Sequence, residues 1–312
     1  MKKTFRIIYI QFSWIILFIH CSLIAQETTR NDSLAKYSHE ELSEKFYAAK
    51  PDSLKAVLYA KYAIIKAKKE KDTLELGSGY YWLSDITKDS TYYVNYWNDI
   101  IRKTKNTNNK LYPALSYLQL GDFYYQKGSK DTALKKYLLA NKELVNKKND
   151  SIKAYVLTRL GLMKIRIEDY DEALNLFRQS MMYFNHKGKS FPEYYSLLLN
   201  TVTVFNRTKR FDSAYYYSDK LISTAIKQND STVLGYGFTS KGKIALYKED
   251  YNDAILNFKK SIPHIINDEN YITLSSCFLN IAQSYSKIND KKNAFRYNNK
   301  VDSLFNKTKN YY

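Results

Sequence analysis

Cysteine is almost missing from this chain of 312 residues, which holds two, Cys21 and Cys277. Glycine and proline are scarce as well, at nine and four, too few for the many turns of a β-sandwich or barrel. Four histidines are scattered along the sequence, none at a metal-ligand or triad spacing. His39-Glu40-Glu41 lacks the second histidine of a zinc helix. His20 falls in an N-terminal apolar run, His186 in the link Asn185-His186-Lys187-Gly188, and His264 beside Pro263 near an expected helix end. There is no glycine-rich phosphate loop, no Gly-x-Ser-x-Gly and no paired-cysteine metal motif. Those absences remove the usual routes to catalysis, so the expectation is no enzyme, no cofactor and no bound metal. Cys277 is the one nucleophile to weigh. No histidine is expected near it, and a buried structural thiol is the reading.

Acidic residues are in deficit, 31 against 49 Lys and Arg, for a formal net charge of +18. Three of those charges, Lys2, Lys3 and Arg6, precede an apolar run from Ile7 to Ile24, and Ala25 then stands before Gln26. A basic start, an apolar stretch and a small residue make an export signal, expected to end at residue 25. The run is longer than a usual signal core, so an uncleaved N-terminal anchor is the other reading, and the only expected contact with a membrane. Cys21 lacks the preceding small residue that lipidation wants, since Ile19 and His20 stand there. Without the leader, Cys277 is alone and no internal disulfide can form. The expected location is periplasmic or secreted. The fifteen remaining excess positive charges would suit nucleic acid. An exported protein does not ordinarily meet nucleic acid, so a lysine-rich solvated surface is expected instead.

Aromatics are plentiful, with 31 Tyr and 15 Phe, and the chain repeats. Leu120-Gly121 recurs as Leu160-Gly161; twelve residues after each glycine comes an alanine, then an aromatic, then a small residue. Followed along the chain, the alanine falls at Ala56, Ala133, Ala173, Ala214, Ala254 and Ala294, with Val94 in the one missing place, in steps near 40 residues. Apolar positions inside a unit follow i, i+3, i+4, i+7, as at Tyr117, Leu120, Gly121 and Tyr124, which marks one helix face. The links Lys69 to Asp72, Lys147 to Asp150 and Lys227 to Asp230 each end in Asp before Ser or Thr, an N-cap signature. The short turns Lys127-Gly128-Ser129 and Lys248-Glu249-Asp250 divide each unit into two helices. Residues 26–36 read as a linker, and 37–312 as a solenoid of about seven helical hairpins. The unit over 74–104 is degenerate. In the last hairpin Asn298 stands at the aromatic place, and Leu304 and Phe305 look partly uncovered.

The set Leu120, Gly121, Tyr124, Gly128, Ala133, Tyr137 and Ala140 resembles the tetratricopeptide repeat (TPR) signature at every place. Parts of it return at Gly242, Tyr251, Ala254, Phe258 and Ser261, and at Ala282, Tyr285 and Ala294. The resemblance spans roughly residues 37–307. It implies an all-α, right-handed superhelix of antiparallel hairpins whose first helices line a concave groove. It implies a protein- or peptide-binding scaffold. The step near 40 exceeds the family's 34 and is similar to bacterial sensory solenoids. An extracytoplasmic input domain of a membrane-bound regulator, with the natural chain continuing past Tyr312, is therefore the alternative.

The register also assigns the groove, taking side chains two before the Leu-Gly glycine position, one after it and five after it. These are Gln119, Asp122 and Gln126; Arg159, Leu162 and Arg166; Asn200, Thr203 and Arg207; Ser240, Lys243 and Tyr247; and Asn280, Gln283 and Lys287. One carboxylate stands among five cations, so an acidic protein or peptide partner is expected. The carboxylate clamp of some tetratricopeptide domains is not reproduced at Leu118/Asp122 or Leu199/Thr203.

Overall fold

The computed structural model describes residues 36–145, 149–185, 192–266 and 271–309. The leader and the link around His186 lie outside them. By its contacts the chain divides into two compact units, one to Asp99 and one from Ile100 onward. The first unit holds α1 (His39–Ala48), α2 (Ser53–Glu70), α3 (Thr73–Thr87) and most of α4 (Thr91–Thr104). The second holds α5 (Ala114–Gln126), α6 (Lys130–Glu143), α7 (Asp150–Arg166), α8 (Tyr170–Asn185) and α9 (Pro192–Arg207). It continues with α10 (Phe211–Gln228), α11 (Ser231–Tyr247), α12 (Tyr251–Ile265), α13 (Tyr271–Lys287) and α14 (Lys291–Lys309). No strand occurs among the described residues, and none of their helices is long and apolar enough to cross a membrane.

Side chains start these helices as the links foretell. Asp72 accepts from the Leu74 and Glu75 amides, and Asp230 accepts from Val233. At α1, Ser38 and Glu41 close a reciprocal capping box. One cap differs from expectation. Asn149, not Asp150, accepts from the Ile152 amide, and Asp150 is already helical. Either residue can cap, and Asp150 as first helical residue still sets a negative charge at the positive end of the helix dipole. Inside the hairpins the reversal falls on one residue of positive φ: Lys88, Gly128, Glu168, Lys209, Glu249 and Asn289, spaced with the repeat.

Five of the six repeat alanines are fully covered, and Ala294 in the last hairpin is half-buried. Ala56, Ala133, Ala173, Ala214 and Ala254 are all 0% exposed. Against Gly121, Gly161 and Gly242 lie the rings of Tyr137, Phe177 and Phe258, each sixteen residues further on. Tiny residues let the paired helices approach, and the rings fill the volume beside them. In the fifth hairpin the sizes are exchanged: Val202 occupies the glycine place and Ser218 the aromatic place, both buried. The degenerate second hairpin departs from expectation by one residue. Tyr93 and Trp97 are buried at 4% and 1%, whereas Val94 is only half-buried. The last hairpin shifts likewise. Asn298 is exposed, and the buried ring is Tyr297, stacked 5.8 Å from Tyr285. A helix turns 3.6 residues at a time, so i+3 and i+4 share a face and a ring can occupy either.

Candidate functional site

In the second unit the first helices of successive hairpins touch one another directly, α5 with α7, α7 with α9 and α9 with α11. Side chains pointing away from their own second helices therefore share one face. Most of the positions assigned from the register reach it. Gln119, Asp122, Arg159, Leu162, Asn200 and Asn280 are half-buried. Gln126, Arg166, Thr203, Arg207, Lys243, Tyr247, Gln283 and Lys287 are exposed. Ser240 does not reach it: it is buried and donates to the Tyr236 carbonyl at 2.9 Å.

The part of the face over α5 and α7 is already paired. Arg159 Nε donates to Asp122 Oδ1 at 2.7 Å and Nη2 to Oδ2 at 3.2 Å, a two-pronged clasp between neighbouring hairpins. The Tyr137 hydroxyl donates to the same Asp122 oxygen at 2.7 Å. Burial alone would disfavour the guanidinium charge, but the hydrogen bonds and charge of Asp122 outweigh it and raise the Arg159 pKa. Burial first, and Asp122 next, raise the Tyr137 phenol well above its usual range. Tyr155 is raised by burial and then by the negative charge of Glu193. Arg159 thus braces two hairpins. Arg166 sits 6.0 Å over the Tyr125 ring.

Over α9, α11 and α13 the face opens into a cavity of about 560 Å³. Six of its lining residues, Thr203, Arg207, Lys243, Tyr247, Asn280 and Gln283, are positions assigned from the register. Three were not assigned: Asn206, Leu246 and Ser276. No carboxylate lines it, and Arg207 and Lys243 have no ion-pair partner among the described residues. Asn206 is 3% exposed, and its Oδ1 has no hydrogen-bond partner among the described residues. Burying an unsatisfied amide oxygen costs about 1–3 kcal/mol. The signal for Asn206 was available in the repeat. The equivalent positions are Tyr125, Ile165 and Leu246, apolar in the hairpins on either side, and Ser286 in the seventh, which is polar again but exposed.

The residues weighed for chemistry lie elsewhere. Cys277 is 0% exposed, 3.6 Å from Thr239 Oγ1 and 3.9 Å from Ser261 Oγ. Burial pushes its thiol up, away from the reactive thiolate. His39 is bonded to Glu70 at 2.8 Å, and His264 to Ser231 at 2.9 Å. No group of three or more His, Cys, Asp or Glu that would hold a metal is found among the described residues.

No known family profile matches the chain, and no curated protein matches it. Solved structures do. It is similar to RapI in its apo form, with a TM-score of 0.60 and 10% identity over 86% of this chain and 77% of that one. A Rap protein complexed with Competence and Sporulation Factor gives 0.59 and 12% over 85% and 77%. PilW, a type IV pilus biogenesis factor, gives 0.52 and 14% over 80% and 93%. At these identities the likeness speaks for the fold. Together with the forty-residue register and the pairing of successive helices within each unit, it makes this an all-α, tetratricopeptide-like solenoid fold.

Proposed function

We propose that this protein is an exported, non-catalytic scaffold that holds a protein or peptide segment against the first helices of its second unit. The observation that carries this reading is the cavity over α9, α11 and α13, walled by polar and cationic side chains that come from three successive hairpins. A ligand seated there touches several repeats at once, which is how a solenoid gathers affinity from a surface with no deep pocket in any single unit. The Rap protein complexed with Competence and Sporulation Factor and the type IV pilus biogenesis factor PilW support the reading, since similar folds bind a factor and serve pilus biogenesis there. No nucleic acid is involved in this reading, and the membrane enters only if the N-terminal segment is retained.

The test is selection from a displayed peptide library with the mature chain as bait. Enriched peptides should lose binding when Arg166 and Lys287 on the first helices are changed to Ala. They should keep it when Lys135 and Arg178, exposed on α6 and α8, are changed. A selection that enriches nothing, or peptides indifferent to the first-helix changes, overturns the reading.

A further inference from the structure

The pairing over α5 and α7 and the cavity over α9, α11 and α13 use the same repeat positions with opposite outcomes. Asp122 occupies the place one after the glycine position, and it clasps Arg159, two before that position in the next hairpin. In the sixth and seventh hairpins the same two places hold Lys243 and Asn280. There the internal carboxylate has become a cation, and its partner an amide. Nothing within the face neutralises Lys243 or Arg207 among the described residues, and beside them Asn206 keeps a buried oxygen without a donor.

We propose that this cavity is the seat of an internal acidic residue of the bound segment. The inference rests on reading this face as the binding face. Lys243 and Arg207 hold the side-chain carboxylate, supplying from the protein the charge that Asp122 and Arg159 exchange internally. Asn206 turns its amide to hold the segment's main chain, with its oxygen accepting a peptide N–H, because a terminal amide torsion is soft and offers both a donor and an acceptor. Asn280 and Gln283 add donors on the far wall, and the exposed Tyr247 ring gives the segment a flat apolar rest. The residue is internal to the segment, not a chain terminus. A cation stands on the helix before the cavity, at Arg166, and another at the far end of its last helix, at Lys287, so the segment passes through.

The test measures anisotropy of three labelled twelve-residue probes with the mature chain at physiological ionic strength. One alternates Glu and Ser with both ends blocked, the second carries Gln for Glu, and the third is the Gln probe with a free C-terminal carboxylate. The blocked Glu probe should bind at least roughly tenfold more tightly than either Gln probe. Asn206→Leu, Arg207→Gln and Lys243→Gln should each weaken it by about tenfold. Asn206→Leu should do so without lowering the melting temperature, since Leu removes a polar oxygen that has no partner in the fold. Changing Lys135, Arg178 and Lys227 on second helices to Gln should alter binding less than about twofold. Equal binding of the blocked Gln probe, or preference for the free C-terminus, overturns the acidic-residue seat. So does an equal loss from the second-helix changes, which would make the attraction one of net charge. If library-selected peptides still depend on Arg166 and Lys287 while the Glu probe does not bind, this inference fails and the scaffold reading stands.

Discussion

Replacing Gly242 by alanine adds one methyl group where α11 presses on α12. The new Cβ would lie 2.8 Å from Phe258 Cε1 and 2.9 Å from both Cδ1 and Cζ. Carbon atoms prefer about 3.5–4.0 Å, and Phe258 is 0% exposed, with no space to retreat. Two effects oppose each other. Alanine is about 1 kcal/mol better than glycine inside a helix. Overpacking a tight core costs about 1–3 kcal/mol. Contact with three atoms of one fixed ring places this case toward the upper end, so the net expectation is a loss of about 1–2 kcal/mol. Urea unfolding followed by helical circular dichroism reads it. Phe258→Leu clears the space, so the double variant should lose about 1 kcal/mol less than the two single losses together. Hydrogen exchange should loosen α11 to α13 first, because each hairpin leans only on its neighbours. A Gly242→Ala protein more stable by the full propensity difference, or strict additivity with Phe258→Leu, would refute the seam argument.

Ala173→Trp should prevent or severely destabilise folding of its hairpin, whereas Trp at the exposed Arg178 one turn on should change urea stability by less than about 0.5 kcal/mol. Tyr137, with its phenol raised by burial and then by Asp122, stays protonated in the folded chain after unfolded tyrosines ionise near 10. Its contribution is complete below that pH and falls by about 1.4 kcal/mol per unit above it; urea stability followed by helical circular dichroism should fall less steeply above about pH 10 in Tyr137→Phe than in the parent chain, and parallel profiles refute this. Glu249→Gly relieves a left-handed residue at φ 61° in the α11–α12 turn; against the backbone entropy of glycine it should gain about 0.5–1 kcal/mol in the same urea assay. N-terminal sequencing of the mature protein should begin at Gln26, and an intact Met1 on membrane-bound protein would establish an anchor instead.

The repeat was legible because its physics is local. A helix pair closes on a small residue, so an alanine every forty residues and a ring four places later carry the fold wherever they stay in step. They fail where volume is conserved by another arrangement. In the second hairpin the buried pair is Tyr93 and Trp97, both on α4; Trp97 lies against Gly77 of α3 and Tyr93 against the Tyr81 ring, 5.7 Å between centroids, so the seam is filled one residue out of register. In the fifth, Val202 and Ser218 exchange large for small across the same gap. Sequence matching sees a broken motif at both places, while the packing is unbroken. The Asn149 cap has a similar origin, since Asn and Asp offer the same acceptor and the choice depends on where the link ends.

The face was legible in position and not in pairing. Register says which side chains point outward from the first helices, and six of the nine cavity residues follow from it. It does not say which of them meet. Counting one carboxylate and five cations treated Asp122 and Arg159 as two separate ligand contacts, whereas they spend their charge on each other. That pairing changes the inference about where binding energy can come from. A cation already clasped by a carboxylate and backed by a tyrosine gains little from a second anion, because the first has already supplied the favourable field. An unpaired arginine and lysine beside an unsatisfied buried amide gain the full charge-assisted bond, since no intramolecular contact must first be broken. Any attraction this protein has for acidic segments should therefore be concentrated over α9, α11 and α13, and a binding test that removes Arg159 measures the brace between two hairpins.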